Sequence, residues 1–549
     1  MGLTYKVLGQ INPLATTLSD LYNVPINTST VCSTLSICNL SFTNTTFRVA
    51  IRPARALISK EHYIAYDATI EGSDTIFLTI GITLSEDDIV SVYAGNGNLT
   101  FSLFGIAEEG LRIQQTISNG GTPNEWERPG DWLELPTLTT GDQKLVGLYA
   151  VWNTDCNYVA LTVEGNYTVN WGDGTVEDIA SGVKAQHEFD YATLNTPVCS
   201  RGYKTVIINV FPRGGANMTS LMLDKSHSAI TYSGVVSNWL DVSICGSYLT
   251  TITLGSLNDS SNRVGSIIER CVILDNNITS LSYLFGGCNF LQSVYIASTS
   301  NVTNTEGMFQ ECTSLTTVPL FNTSLVTNMA SMFAFCPSLL TVPAFDTHLV
   351  TDMSYMFFVC SSLTTVPAFN TGLVTNMGGM FIGCSSLTSV PLFDTHLVTD
   401  TNSMFSDCSS LTSVPLFDTH LVTDMSFMFA DCTLLTSVPL FDTHLVTSME
   451  LTFYFAVNLQ YLPAFNCSSV TTFDDTFVSP GLLPLKYIGF INIKESLTIT
   501  NSMLSSNALN TLFTNLGTVS GKTITITGNP GAGTCTQSIA TGKGWTVVN

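Results

Sequence analysis

Cysteines stand at Cys288, Cys312, Cys336, Cys360, Cys384, Cys408 and Cys432, each 24 residues after the one before. A fixed period of that size constrains the fold more than any other feature, because it specifies one supersecondary unit stacked on copies of itself. The surroundings recur as well: LVTDMSYMFFVCSSLTTVPAF at 349–369, LVTNMGGMFIGCSSLTSVPLF at 373–393 and LVTDMSFMFADCTLLTSVPLF at 421–441. A solenoid offers a long regular wall of side chains, which suits binding or display better than catalysis. A structural or recognition protein is the first expectation. An enzyme is not.

Within one coil, Met353, Met356, Phe357 and Cys360 fall at spacings of 0, 3, 4 and 7, which predicts one face of a short helix. The residue before it is Asn304, Asn328, Asp352, Asn376, Asp400, Asp424 or Ser448 in successive coils. All belong to the side chains that cap free amides at a helix start, so the position reads as a cap and not as a charge. Leu363 and Val366 follow on a strand-like stretch that Pro367 ends, because proline cannot donate to a ladder. Phe369 re-enters the core. The cysteines, sharing a face with Met and Phe, are expected to be buried small hydrophobes.

A chain of 549 residues is too long for one core, and three or four domains are expected. Its 19 Lys+Arg against 42 Asp+Glu give a formal charge of -23, a surface that repels phosphate backbones and anionic lipid. No Lys or Arg occurs between Arg270 and Lys486. Nucleic acid is therefore not an expected partner. The longest apolar runs stay below the 18 residues or so that a membrane span needs, so membrane insertion is not expected either. The opening MGLTYKVLGQINPLATTLSD lacks a basic head followed by an apolar run, so no secretory leader is expected. The closing ATGKGWTVVN carries neither an apolar anchor nor a basic tail. Fifteen cysteines is an odd count, most are expected to be reduced core thiols, and Cys156 with Cys199 is the candidate bridge.

The expected fold class is mainly β and multidomain. Residues 1–106 hold short β-branched and aromatic runs separated by polar turns, predicting a β-sandwich or small jelly roll. Asn96-Gly97 there predicts a hairpin. Residues 107–143 form a connector, and Trp126 and Trp132 of its EWERPGDWLELP segment are expected to pin it onto a neighbour. A second β module occupies 144–213, and the solenoid spans 214–501, with an irregular cap at 214–280 and regular repeats at 281–480. Ala456 and Pro480 take the cysteine position in the last coils. Residues 502–549 close the stack, with a short helix expected near Leu504–Leu516.

Three resemblances add to this reading. YVALTVEGNYTVNWGDGTVEDI, HEFDYA and GYKTVIINVFP resemble the PKD (polycystic kidney disease) Ig-like domain, through Trp171-Gly172-Asp173-Gly174, His187 to Tyr191 and the strand near Val206–Val210. Gly172 and Gly174 permit a tight turn, and Asp173 can bond back to that turn's own backbone. The insertion around Leu194–Arg201 departs from the common pattern. The coil LVT(D/N)MSxMFxxCSSLTxVPxFDT resembles the BspA-like leucine-rich repeats, which implies a right-handed solenoid and a role in adhesion or recognition. YKVLGQ at 5–10, TTFRVAIRPA at 45–54, HYIAYDATI at 62–70 and NLTFSLFGIAEE at 98–109 resemble a module at the start of virion proteins of marine tailed phages. EWERPGDWLELP and ITITGNPGAGTCTQSIATGKGWTV also look like phage appendage sequence.

The last resemblance implies a fibre, appendage or decoration protein of the virion, assembled in the host cytoplasm. Residues 1–106 would then bind other virion proteins, and the solenoid would contact a host-surface glycan or protein. Trimers are common among such appendages, so a homotrimer is an expectation. The alternative is a cellular BspA-like adhesin at the cell surface.

Asp394, His396, Asp418, His420, Asp442 and His444 repeat at coil spacing and form a candidate surface ladder for ligand contact. Imidazole and carboxylate are competent metal ligands, but a stacked ladder lacks the convergence that ligation needs. Ser324 and Gly372 also break the column that His348 would extend. Glu125, Glu127 and Asp131 could supply a carboxylate pair, yet nothing near them predicts a pocket. No P-loop, GxSxG, HExxH or paired CxxC motif occurs. No catalytic residue, metal or cofactor is expected.

Overall fold

The computed structural model describes residues 6–24, 28–52, 60–84, 88–109, 126–153, 157–229, 236–255 and 265–549. Tyr5, Pro53, Ala54, Glu125 and Cys156, which figure in the sequence reading, lie outside the described residues. The chain divides into two compact units, Met1–Glu127 and Arg128–Asn549.

In the first unit the strands are β1 (Lys6–Ile11), β2 (Leu18–Asn23), β3 (Thr28–Asn39), β4 (Thr45–Arg52), β5 (Tyr63–Ile70), β6 (Thr75–Leu84), β7 (Ile89–Ala94) and β8 (Leu99–Glu109). They form two antiparallel sheets, ordered β1-β8-β3-β6 and β2-β7-β4-β5. The nested pairs β1·β8, β2·β7, β3·β6 and β4·β5 make one long hairpin folded over itself, the double-sheet jelly roll. Leu35, Ile37, Phe101 and Leu103 from one sheet meet Phe47, Val49, Val90 and Val92 from the other in a single core. Phe47 and Phe101 pack edge-on, with ring centroids 6.4 Å apart. The Asn96-Gly97 turn does not make the hairpin that its sequence predicts. β7 pairs with β2 and β4 while β8 pairs with β1 and β3, so the turn carries the chain from one sheet to the other.

The second unit opens on the connector. Trp132 is buried and its Nε1 donates to Tyr203 Oη at 3.1 Å. Arg128 reaches Asp241 at 2.9 Å, and Arg270 meets the same carboxylate at 3.3 Å. The strands that follow are β9 (Lys144–Val151), β10 (Tyr158–Glu164), β11 (Tyr167–Asn170), β12 (Val176–Ile179), β13 (Ala185–Glu188), β14 (Lys204–Pro212), β15 (Ser220–Met222), β16 (Val236–Ser237), β17 (Trp239–Cys245), β18 (Thr251–Thr253), β19 (Gly265–Ser266), β20 (Arg270–Ile273) and β21 (Ser293–Ile296). One sheet runs β12-β11-β14-β9-β17-β20-β21 and another β13-β10-β15-β18. β9 pairs antiparallel with β17, which pairs parallel with β20. Likewise β10 pairs antiparallel with β15, which pairs parallel with β18. Both sheets of the 144–213 module thus continue into the first coils. Gly147 is required at the join, since a Cβ there would lie 2.3 Å from the Trp239 ring. A single apolar core extends from Leu145 to Trp545.

In the regular coils Met353, Met356, Phe357 and Cys360 are all fully buried, as their spacing predicts, but no helix carries them. Tyr355 and Val359 lie in the left-handed region, at φ 55 and 58, which interrupts any run of helical turns. Amides alternate instead. Those of Met353, Tyr355, Phe357 and Val359 donate to Asn376, Gly378, Met380 and Ile382 of the next coil, at 2.7–3.1 Å. Those of Met356, Phe358 and Cys360 close turns onto Met353, Tyr355 and Phe357. The cap position is real, but it caps this turn ribbon: Ser354 N–H donates to Asp352 Oδ1 at 2.8 Å, and the same bond recurs from Asn304 to Asp424. The stretch ending at Pro367 is extended without forming a strand, since few amides there reach the neighbouring coil. β-Branched residues pay most for a left-handed backbone, and Gly383 occupies the equivalent position one coil on. Val359→Gly is expected to stabilise the chain by about 1 kcal/mol, read as a higher denaturation midpoint. A lower midpoint would show that the side chain's packing outweighs the strain.

Two columns of stacked rings fill the coils, with centroids 5.4–6.0 Å apart along Phe285, Phe309, Phe333, Phe357, Phe381, Phe405, Phe429, Phe453 and Phe477. The second column runs through Phe393, Phe417, Phe441 and Phe465. The stack closes on β22 (Tyr461–Leu462), β23 (Tyr487–Ile488), β24 (Leu497–Thr498), α1 (Ser506–Asn515), β25 (Lys522–Thr525), α2 (Ser538–Thr541) and β26 (Trp545–Val548). The expected helix is α1, started by Ser505, whose side chain accepts the Ala508 amide.

Candidate functional site

The Asp-Thr-His ladder is built from local turns. In each coil the aspartate accepts the amide two residues on, as His396 N–H to Asp394 Oδ1 at 3.3 Å. This holds the imidazole Nδ1 at 2.7 Å from Asp346 Oδ1 for His348, and at 2.8 Å from Asp394, Asp418 and Asp442 for His396, His420 and His444. The histidine hydrogen bond holds the carboxyls of Asp394, Asp418 and Asp442 below the usual carboxylate range. Since these values lie below the unfolded ones, the pairs stabilise at neutral pH and lose that effect as pH falls through the folded-state values. Side chains about half exposed keep the effect small. Each pair closes within its own coil, and among the described residues no three His, Cys, Asp or Glu side chains converge as metal ligands. Where Ser324 and Gly372 replace histidine, Asn322 and Asn370 make the same turn.

Between Asp and His sits a residue that the sequence reading passed over. Thr323, Thr347, Thr371, Thr395, Thr419 and Thr443 are buried, and each hydroxyl donates to a carbonyl of the next coil at 2.7–3.0 Å. The signal was present: threonine stays constant while the residues on either side change to Asn, Ser or Gly. It locks the ladder's backbone to the next coil, leaving Asp and His at the surface.

The cysteine column does more than fill space. Each thiol of Cys312, Cys336, Cys360, Cys384, Cys408 and Cys432 donates to a phenylalanine carbonyl of the preceding coil at 3.1–3.2 Å. Burial pushes Cys288, Cys336 and Cys384 up to about 12, so the thiols stay protonated and unreactive. Site-resolved labelling with a thiol reagent at pH 8 should modify this column only after unfolding. Rapid labelling of Cys360 in the native protein would contradict the burial. Cys199 is a buried free thiol.

In the 144–213 module Trp171 is buried and stacked on His187, with ring centroids 4.9 Å apart. His187 Nε2 lies 2.7 Å from Asp173 Oδ2, while Thr175 N–H donates to Asp173 Oδ1 at 2.9 Å. Burial would raise the Asp173 pKa, but these bonds outweigh it and lower it. Gly172 and Gly174 take φ of 85 and 102, as a tight turn requires. Asp131 accepts the Ser200 amide, which lowers its pKa and ties the connector down.

Among the described residues no helix is long and apolar enough to cross a membrane. The chain has no significant match among curated proteins. The family described as Mycoplasma protein of unknown function, DUF285, matches three overlapping stretches, residues 279–387, 338–436 and 388–483. Together with the 24-residue coil spacing, that match fits a BspA-like repeat over the regular part of the solenoid.

Proposed function

We propose that the protein is a structural appendage of a tailed-phage virion, attached through its first unit and displaying the solenoid toward the host surface. The observation that carries this reading is the jelly roll of residues 6–109, an architecture recurrent in viral capsid and lectin domains. It coincides with the segment whose sequence resembles phage virion modules. The link from fold to role is an analogy, and the resemblance narrows it. The 144–213 module, read as PKD-like through its WGDG turn, serves as the base of the array. The solenoid presents hydroxyls and carboxylates without a single Lys or Arg from 271 to 485, and contacts a host-surface glycan or protein. Copies on one particle add avidity to individually weak contacts.

A second reading follows from the BspA-like resemblance of the coils: a cell-surface adhesin of BspA type. Deleting residues 1–106 separates the two. Particle incorporation is expected to be lost while the second unit keeps its fold, because the two units have separate cores. Normal incorporation of the truncated chain would overturn the attachment reading. Immunogold electron microscopy with an anti-solenoid antibody gives an independent readout, with gold on particles supporting the virion and gold on cell envelopes the adhesin.

A further inference from the structure

Among the columns that vary from coil to coil is the pair of residues between the ring-column phenylalanine and the cysteine. That pair reads Gly286-Gly287, Gln310-Glu311, Ala334-Phe335, Phe358-Val359, Ile382-Gly383, Ser406-Asp407 and Ala430-Asp431 in successive coils. The second residue of the pair is always left-handed, at φ 53–61 in Glu311, Phe335, Val359, Asp407, Asp431 and Phe455. Glycine is accepted there, as Gly287 and Gly383 show at φ 80 and 72. The left-handed turn is part of the ribbon in every coil, and the variable side chain at this column is carried on it.

The column also changes character along the array, and an open cleft of about 520 Å³ lies where it changes. Phe358, Val359 and Ile382 line one end, Gly383 leaves the middle open, and Asp407 and Asp431 line the other. Asp407 accepts the Ser406 hydroxyl at 3.1 Å, and among the described residues neither carboxylate forms an ion pair. Burial, followed by the neighbouring Asp407 charge, raises the Asp431 pKa, as expected of two like charges in adjacent coils. With no Lys or Arg from 271 to 485, the array itself supplies no cation to this pair.

We propose that this cleft is a specificity site of the solenoid for a partner protein, taking an Arg or Lys side chain at Asp407 and Asp431 and an adjacent apolar side chain against Phe358 and Ile382. The proposal rests on the reading that the solenoid contacts a surface, and it places the contact on a different column from the Asp-Thr-His ladder. An aliphatic stem packs on the apolar end while its charged head meets the carboxylates.

The test is calorimetric titration of the full chain with acetyl-Phe-Arg-amide, its citrulline counterpart and its Gly-Arg counterpart. The Phe-Arg peptide should bind at least fivefold more tightly than either. Asp431→Asn should abolish the arginine–citrulline difference, and Phe358→Ala the Phe–Gly difference. Val359→Gly should weaken binding while raising the denaturation midpoint, which separates contact from folding. Equal binding of the three peptides, unchanged discrimination in Asp431→Asn, or binding of a neutral polysaccharide in their place overturns the proposal. Particle incorporation is measured separately, so failure here leaves the virion reading standing, and failure there leaves this one.

Discussion

Replacing Phe381 with alanine should cost about 3–5 kcal/mol, the range for truncating a fully buried phenylalanine. The ring is inaccessible and lies 5.6 and 5.7 Å from Phe357 and Phe405 in its own column and 6.3 Å from Phe393 in the other. No neighbour can swing into the void, because each is held by the next ring along. Repeat arrays store stability in nearest-neighbour interfaces, so the loss should fall on the two interfaces that the coil shares. Denaturant unfolding should show an early transition, and hydrogen exchange should place it within about one coil of position 381. A loss below about 1 kcal/mol would mean that the column repacks freely.

Asp241→Ala should be similarly damaging, at about 3–5 kcal/mol, for a different reason. Asp241 is completely buried and bonded to Arg128 Nε and to Arg270, so its removal takes the buried counter-charge from both and leaves Arg128 only the connector carbonyls and the exposed Glu134. Arg128 also donates to the carbonyls of Trp132 and Leu133, so the connector should loosen along with the first coils. Thermal unfolding gives the magnitude, and limited proteolysis should show new cleavage within 128–138. Asp241→Asn, which keeps an acceptor, should fall between the variant and the native chain. Equal stability of all three would remove the ion pair from the account of how the connector is held.

The periodic part of the fold could be read from the sequence because each coil meets the same neighbours. Cys288 to Cys432 gave the coil length, and Met353, Met356, Phe357 and Cys360 the buried face. The backbone that carries them was not legible, since an alternating turn ribbon buries the same spacing as a helix. Only residues such as Tyr355 and Val359 distinguish the two, and neither type advertises a left-handed conformation. The join between the 144–213 module and the coils was hidden for another reason. It depends on β17, which pairs with β9, and on the three-residue strands β15 and β18, pairings specified by distant partners and not by local pattern. In the jelly roll, Asn96-Gly97 announced a tight turn, but the strands it joins belong to different sheets. At the candidate surfaces, the Asp and His ladder was visible as a repeat. The Phe358 to Asp431 cleft was not, because it is made by side chains that change from one coil to the next.

The alternating amides of the turn ribbon have a consequence for the length of the molecule. Through the ribbon every regular coil donates to the one after it and accepts from the one before by equivalent backbone atoms, so the ribbon's bonds do not fix how many coils the array holds. Excising residues 397–420 would bring His396 against Leu421 and restore the same His-Leu-Val-Thr sequence across the cut. The stack would shorten by about 4.8 Å, one strand spacing, and the ends would be unchanged. Near-identical neighbouring repeats are also the substrate on which recombination adds or removes whole units. The reach of this solenoid is therefore a quantity that can drift in steps of one coil, independently of what either end of the chain is attached to.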